Sequence, residues 1–137
     1  FSGAARAQMM AVLEDALDRL ADHDVPIEEG IRTLVFELMA VHEANPALTR
    51  ALSAAVLRES PAADHIHDKD ELDLLQRVVA VLDTRPDVRA GDHVAMAALL
   101  GQVMAHLSRW LAHDAPGPMT ATLVEETVQL LTRFLRR

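Results

Sequence analysis

The sequence of 137 residues contains no cysteine and no tyrosine, a single tryptophan and three phenylalanines. Without cysteine there is neither a disulfide framework nor a thiolate metal site. With aromatics at 3%, the core must be built from Leu, Val, Ala and Met. The β-branched and aromatic residues that suit a pleated sheet are sparse. No apolar run reaches the length of a bilayer span, so no membrane association is expected. The opening Phe1-Ser2-Gly3-Ala4-Ala5-Arg6 lacks the order of a signal peptide, which points to a cytoplasmic location. Basic residues are also short: 13 Lys and Arg against 21 Asp and Glu give a net charge of −8. That balance repels a phosphate backbone and argues against direct nucleic-acid binding by this segment. A Gly-rich phosphate loop, a Gly-x-Ser-x-Gly elbow and a His-Glu-x-x-His zinc helix are all missing. Neither an enzyme nor a cofactor is expected.

What is present is an apolar half, 50% of the residues, enough for one core and one domain over 1–137. Helix-forming Leu, Ala and Met in that proportion predict an all-α fold. Six helices follow from apolar residues recurring at three- and four-residue steps. The first runs from about Ala4 to Asp22, with Met9, Met10, Leu13, Leu17 and Leu20 inward. Pro26 opens a second, to about Glu43, which buries Ile27, Ile31, Leu34, Val35, Leu38 and His42. Phe36 falls on its far side, so it is either a solitary exposed aromatic or, the preferred reading, part of a central helix packed on two sides. Asn45-Pro46 starts a short third helix carrying Leu48, Leu52, Ala55 and Val56. The polar stretch from Pro61 to Glu71 reads as a loop, and a fourth helix follows to about Asp83, with Leu72, Leu74, Leu75, Val78, Val79, Val81 and Leu82 on its apolar side.

The fifth helix, Asp92–His113, carries too little polar surface for a peripheral element. One face is large: Met96, Leu99, Leu100, Val103, Met104, Leu107, Trp110 and Leu111. The other is small-grained: Val94, Ala97, Ala98, Gly101, Ala105, Ser108 and Ala112. Only Gln102, His106, Arg109 and His113 are left for water or a polar pocket. Ala115-Pro116-Gly117-Pro118 turns the chain into a last helix, about Met119 to Leu135, with Leu123, Val124, Thr127, Leu130, Leu131, Phe134 and Leu135 on one face. Two long helices joined by so short a turn run antiparallel. Meeting a copy of itself about a two-fold axis, that hairpin would form an intermolecular four-helix bundle through Ala97, Gly101, Ala105, Ser108, Val124, Thr127, Val128, Leu131 and Leu135.

Asp64-His65-Ile66-His67-Asp68 offers ligand types suited to zinc, nickel or copper. Residues at i and i+2 do not share a helix face and no second cluster completes a site, so a solvated polar loop is the reading and no metal is assigned. His42 and His106 sit on or beside apolar faces, where a histidine serves either as a satisfied core group or as the polar anchor of a ligand pocket.

The opening Phe1-Ser2-Gly3-Ala4-Ala5-Arg6-Ala7-Gln8-Met9-Met10, the Glu43-Ala44-Asn45-Pro46-Ala47-Leu48 junction and the Thr84-Arg85-Pro86-Asp87-Val88-Arg89-Ala90-Gly91-Asp92 linker together resemble the regulatory part of tetracycline-repressor-like (TetR) transcriptional regulators. Ala4-Ala5-Arg6 departs from the Lys-Glu-x of that family's first junction. The resemblance extends over nearly the whole chain and rests on helix order and length more than on single residues. It implies a C-terminal effector-binding and homodimerising domain of a repressor, reaching operator DNA only through a basic headpiece upstream of Phe1. The effector would be a small apolar molecule held among the central helices. The residues expected around it are Met39 and His42, Leu52 and Val56, Leu75 and Val79, and Met96, Leu100, Val103 and Leu107, with His42 orienting the ligand. The alternative is a helical protein-interaction module with no small-molecule ligand.

Overall fold

The computed structural model describes the backbone of residues 3–45 and 61–137, with side chains for Ala4, 7–45 and 72–137. These residues form five α-helices: α1 (Gly3–Ala21), α2 (Ile27–Ala44), α3 (Pro61–Thr84), α4 (His93–His113) and α5 (Thr120–Leu135). A 3-10 turn, Gly117–Met119, leads into α5. The fold is all-α; the described residues contain no strand, and one isolated bridge pairs Val88 with Arg136. The short helix expected on Leu48, Leu52, Ala55 and Val56 lies outside the described residues.

The long-range contacts fix the course of the chain. Leu20 of α1 lies under Gly30 of α2, while Met9 and Val12 pack on Val41 at the other end, so α1 and α2 are antiparallel. Arg77 of α3 reaches Glu14 and Asp18, and Arg85 just beyond α3 reaches Leu20 and Asp22, so α3 runs parallel to α1. Asp83 meets His93 across the α3–α4 turn, and Arg89 donates its backbone N–H to the Leu135 carbonyl at 2.8 Å. The start of α4 and the end of α5 are thereby neighbours, and the expected antiparallel relation of these two helices holds.

α2 is the central element, packed against α1, α4 and α5. Its stripe Ile27, Ile31, Leu34, Val35, Leu38 and His42 is buried, as the periodicity predicts, and Gly30, Met39 and Val41 are buried beside it. Phe36 nevertheless stands 53% exposed: three neighbours leave one side of a helix uncovered, and Phe36 occupies it with Ala40 and Glu43. Gly30 sets the closeness of α1. A Cβ there would fall 2.5 Å from Leu20 Cδ2, well inside van der Waals contact. Asn45 closes α2, its side-chain amide donating to the Val41 carbonyl at 2.9 Å and to Gln8 Oε1 at 3.3 Å.

Two expectations are corrected. The stretch Pro61–Glu71 is not a loop but the first part of α3. Proline at the first helical position is preorganised for the turn and gives up only an N–H that would be unpaired anyway. The segment has one large apolar residue, Ile66, with only alanines a turn before it and Lys69 and Asp70 a turn after, so its apolar period is too weak to mark a helix. The two faces of α4 are also divided differently. Ala97 and Ser108, assigned to the small outward face, are buried at 3% and 1% exposure, while Leu99 and Trp110, assigned to the large inward face, are 52% and 39% exposed. The buried line Met96, Ala97, Leu100, Met104, Ser108 and Leu111 is centred on Met104. Size alone suggested the other division, but α4 packs against both α2 and α3, and burial follows the side that these neighbours cover rather than side-chain size. Leu72 and Leu130, placed on apolar faces by their spacing, are likewise exposed, at 53% and 60%.

Candidate functional site

The two ends of the bundle differ in kind. At one end the chain is tied by Arg85, whose side chain is 2% exposed. Its Nε and Nη2 donate to the two carboxylate oxygens of Asp87, each at 2.8 Å. Nη1 donates to the carbonyls of Leu20 and Asp22 at 2.7 and 3.1 Å, and Nη2 also to that of Val25 at 2.7 Å. The five N–H groups of a guanidinium thus have five acceptors, three of them the carbonyls where α1 ends and turns into α2. The arginine beside Asp87 holds that carboxyl below its ordinary range. Next to it, Arg89 donates to the Phe134 carbonyl at 2.7 Å and lies 5.0 Å over the Phe134 ring. The backbone of Arg137 donates to Asp87 at 3.1 Å. Gly91, at φ +154°, lets this linker swing into α4. Asp92 caps α4 by accepting the Ala95 N–H at 3.1 Å. His93 puts Nδ1 2.5 Å from Asp83 Oδ1 and Nε2 3.0 Å from the Arg89 carbonyl. Two acceptors on two ring nitrogens favour the imidazolium, and the Asp83 bond is the main cause of a pKa raised above the ordinary value.

At the opposite end α1 begins while α2 and α4 finish. Its seam with α2 is held by the small cluster of Val41, Met9 and Val12 and by the Asn45–Gln8 bond. Between the two ends, Glu37 of α2 faces Asp15 of α1 and has a buried Oε2 without a hydrogen-bond partner. Burial, followed by the Asp15 hydrogen bond and charge, raises the Glu37 pKa, while Arg19, 3.5 Å from Asp15, acts against that rise.

The residues expected around an effector are distributed as follows. Met39 and His42 on α2 and Met96 and Leu100 on α4 are buried, between 4% and 7% exposed. Leu75 and Val79 on α3 and Val103 and Leu107 on α4 are half-buried. Met39, Met96 and Leu100 share one core, against which Leu75, Val79 and Val103 pack. Leu52 and Val56 lie outside the described residues. His42 stands apart, at the end of the bundle, with its ring edge-on to His113 at 6.4 Å between centroids. Burial first, then the charges of His113 and Arg109, push its pKa below the ordinary value. Of the residues assigned to a dimer interface, Ala97, Ser108, Val124, Thr127, Val128, Leu131 and Leu135 are buried inside the single chain. Gly101 and Ala105 are exposed, and a Cβ on Gly101 would meet nothing within 4 Å.

A cleft of about 580 Å³ between α1 and α3 is lined by Met10, Glu14, Asp73, Leu74, Gln76, Arg77 and Ala80, none of which the periodicity had placed in a site. Arg77 crosses it to Glu14 at 3.4 Å. It is open and polar-rimmed, unlike the apolar enclosure expected of an effector pocket. Among the described residues no group of three or more His, Asp or Glu side chains is placed to hold a metal ion, and no helix is long and apolar enough to cross a membrane. The Arg85 tie and the Glu37–Asp15 contact had no readable signal, since both join residues far apart in sequence; the only hint was an aspartate two places after Arg85.

Residues 26–135 match the family model described as "Tetracyclin repressor-like, C-terminal domain". Comparisons with curated proteins and with solved structures return no match.

Proposed function

Because the chain belongs to the tetracyclin repressor-like C-terminal domain family, which is regulatory and non-enzymatic, we propose that it is the effector-sensing and dimerising part of a cytoplasmic transcriptional repressor. In this reading a small apolar molecule binds among α2, α3 and α4 and releases a dimer from its operator, which is contacted by a headpiece preceding α1. The observation that carries it is the unequal fastening of α1. Its C-terminal end and the turn after it are tied to Arg85 through the carbonyls of Leu20, Asp22 and Val25, whereas among the described residues the N-terminal half is held by Met9, Val12 and Gln8 against the end of α2. In this reading a ligand beside Met39 and His42 displaces that same end of α2 and so swings the N-terminal half of α1 about its tied end. Coupling of this kind needs a ligand to favour one of two arrangements, and the seam between α1 and α2 supplies a weak contact to break.

Dimerisation is assigned to the exposed side of α4, where Val94, Ala98, Gly101 and Ala105 follow one another at helical spacing, together with Leu130 of α5. Small groups there allow close helix approach, and exposed Val94 and Leu130 supply apolar area. The test pairs two measurements on the same protein. Sedimentation should give a dimer at micromolar concentration, and amide exchange in residues 7–13 should change when an effector raises the melting temperature. A monomer would favour the alternative, an interaction module docking a foreign protein. A bound ligand that leaves exchange in α1 unaltered would sink the lever.

A further inference from the structure

Halfway along the seam between α1 and α2, two acids face each other. The contacts on either side fix the register. Leu20 lies under Gly30 toward one end, Met9 and Val12 pack on Val41 toward the other, and Gln8 meets Asn45. Between them Asp15 of α1 comes opposite Glu37 of α2. Glu37 Oε2 is buried and has no hydrogen-bond partner. Two ionised carboxylates can only accept, so neither satisfies the other. A single proton between them changes that: one oxygen then donates, the other accepts, and the like-charge repulsion is gone.

The surroundings do not neutralise the pair. Arg19 lies 3.5 Å from Asp15, but the two side chains are 52% and 53% exposed, and water screens such an ion pair. One turn from Glu37 on its own helix stand Thr33, Leu34, Ala40 and Val41, none of them charged. On the other flanks of the two helices, Arg32 engages Glu28 and Glu125 of α5, and Arg77 of α3 engages Glu14 and Asp18. α4 meets α2 on the side of His42, where Arg109 and His113 act. Burial and then Asp15 hold the Glu37 carboxyl above its ordinary range, with Arg19 acting against them.

We propose that a proton shared between Glu37 and Asp15 latches the middle of α1 to α2, and that losing it loosens the seam from there to Met9. Separating the helices rehydrates both groups and returns them to ordinary acids. Opening the seam therefore releases the proton, and releasing the proton favours opening. The latch stands on the seam itself; as a control on the N-terminal half of α1 it deepens the effector-sensor reading. Between the ordinary carboxyl range and the titration of the closed pair, the ratio of open to closed seam rises by up to about tenfold per pH unit.

Both halves of this linkage are measurable by NMR in the full chain with no ligand added. Titration of the side-chain carboxyl signals should give Glu37 a midpoint above the ordinary glutamate range. Asp15→Asn should lower that midpoint, because the new amide donates to the Glu37 carboxylate. Cross-relaxation between the methyl groups of Val12 and Val41 should weaken through the Glu37 midpoint. In Glu37→Gln, whose amide donates to Asp15 at every pH, it should stay level. Unchanged far-UV spectra verify that each variant is folded, and the two wild-type measurements decide the matter even where a variant is not. An ordinary Glu37 midpoint, a midpoint that Asp15→Asn leaves in place, or a methyl contact constant across it overturns the latch. Weakening of equal size in Glu37→Gln does so too. None of these outcomes touches the effector reading, which stands or falls on dimerisation and on the response of α1 to a bound ligand.

Discussion

Removing the Arg85 guanidinium tests the account of how α1 is fastened. In Arg85→Ala five hydrogen bonds are lost at once: two to Asp87 and three to the carbonyls of Leu20, Asp22 and Val25. Counting each charge-assisted bond at about 2 kcal/mol would sum to roughly 10 kcal/mol, which overstates the loss. Asp87 is 38% exposed and regains water, and the Asp22 and Val25 carbonyls sit in an exposed turn that water can reach. Breaking a buried ion pair by removing one partner costs about 3–5 kcal/mol, and that is the expected range here. The assay is urea unfolding followed by far-UV circular dichroism, with the slope against denaturant checked for constancy so that the midpoint shift reports stability. A fall in melting temperature of about 10–20 °C accompanies it. Arg85→Lys should recover little, because an ammonium cannot reproduce a planar fork that meets a carboxylate with two bonds and carbonyls on its other side. Asp87→Asn should cost less than Arg85→Ala, about 1 kcal/mol, and the double variant should be less destabilised than the sum of the two. The depressed Asp87 pKa carries a matching pH dependence. Its stabilisation is fully present above the ordinary carboxylate pKa and is lost as pH falls through the lower folded value. A loss below about 1 kcal/mol for Arg85→Ala would show that water replaces the guanidinium and that α1 is not tied at this end.

Glu37→Gln should stabilise the domain at pH 7–8 and change little near pH 4. The raised pKa means that folding loses stability as pH rises through the unfolded carboxylate value, and an amide facing Asp15 removes that loss; an equal effect at both pH values would contradict it. The His93 bridge has the opposite sense to that of a depressed acid. Its contribution is complete below the ordinary histidine pKa and is lost as pH rises through the raised folded value, so Asp83→Asn should flatten the stability profile on the alkaline side of pH 6.5, read by thermal melts across pH. Gly30→Ala should destabilise by about 1–3 kcal/mol in urea despite its better helix propensity, because Leu20 stands 2.5 Å from the new methyl; a gain in stability would mean that α1 gives way. Gly101→Leu should weaken dimerisation with little change in the melting of the monomer, whereas Ser108→Ala should leave dimerisation unaltered, both measured by sedimentation over a concentration series.

The helices were legible wherever an apolar stripe recurs, and the buried residues of α2 are those its spacing implies, from Ile27 to His42. The start of α3 was not, because Ile66 is the one large apolar residue between Pro61 and Glu71 and a single residue makes no stripe. The faces of α4 were legible as two but not as to which points inward. That depends on which side the neighbouring helices cover: Ala97 and Ser108 are buried, while Leu99 and Trp110 are exposed. His42 was identified as a candidate anchor from its place on an apolar stripe. Its partners, His113 and Arg109, come from a helix some seventy residues later, and no local pattern links them.

Composition and spacing were therefore sufficient for the all-α class and for the identity of the central helix, since each rests on interactions within one or two turns. The Arg85 tie, the Glu37–Asp15 contact, the buried line of α4 and the His42–His113 ring pair exist only once helices distant in sequence are packed. Each is a matter of a few ångströms between side chains whose positions no periodicity records.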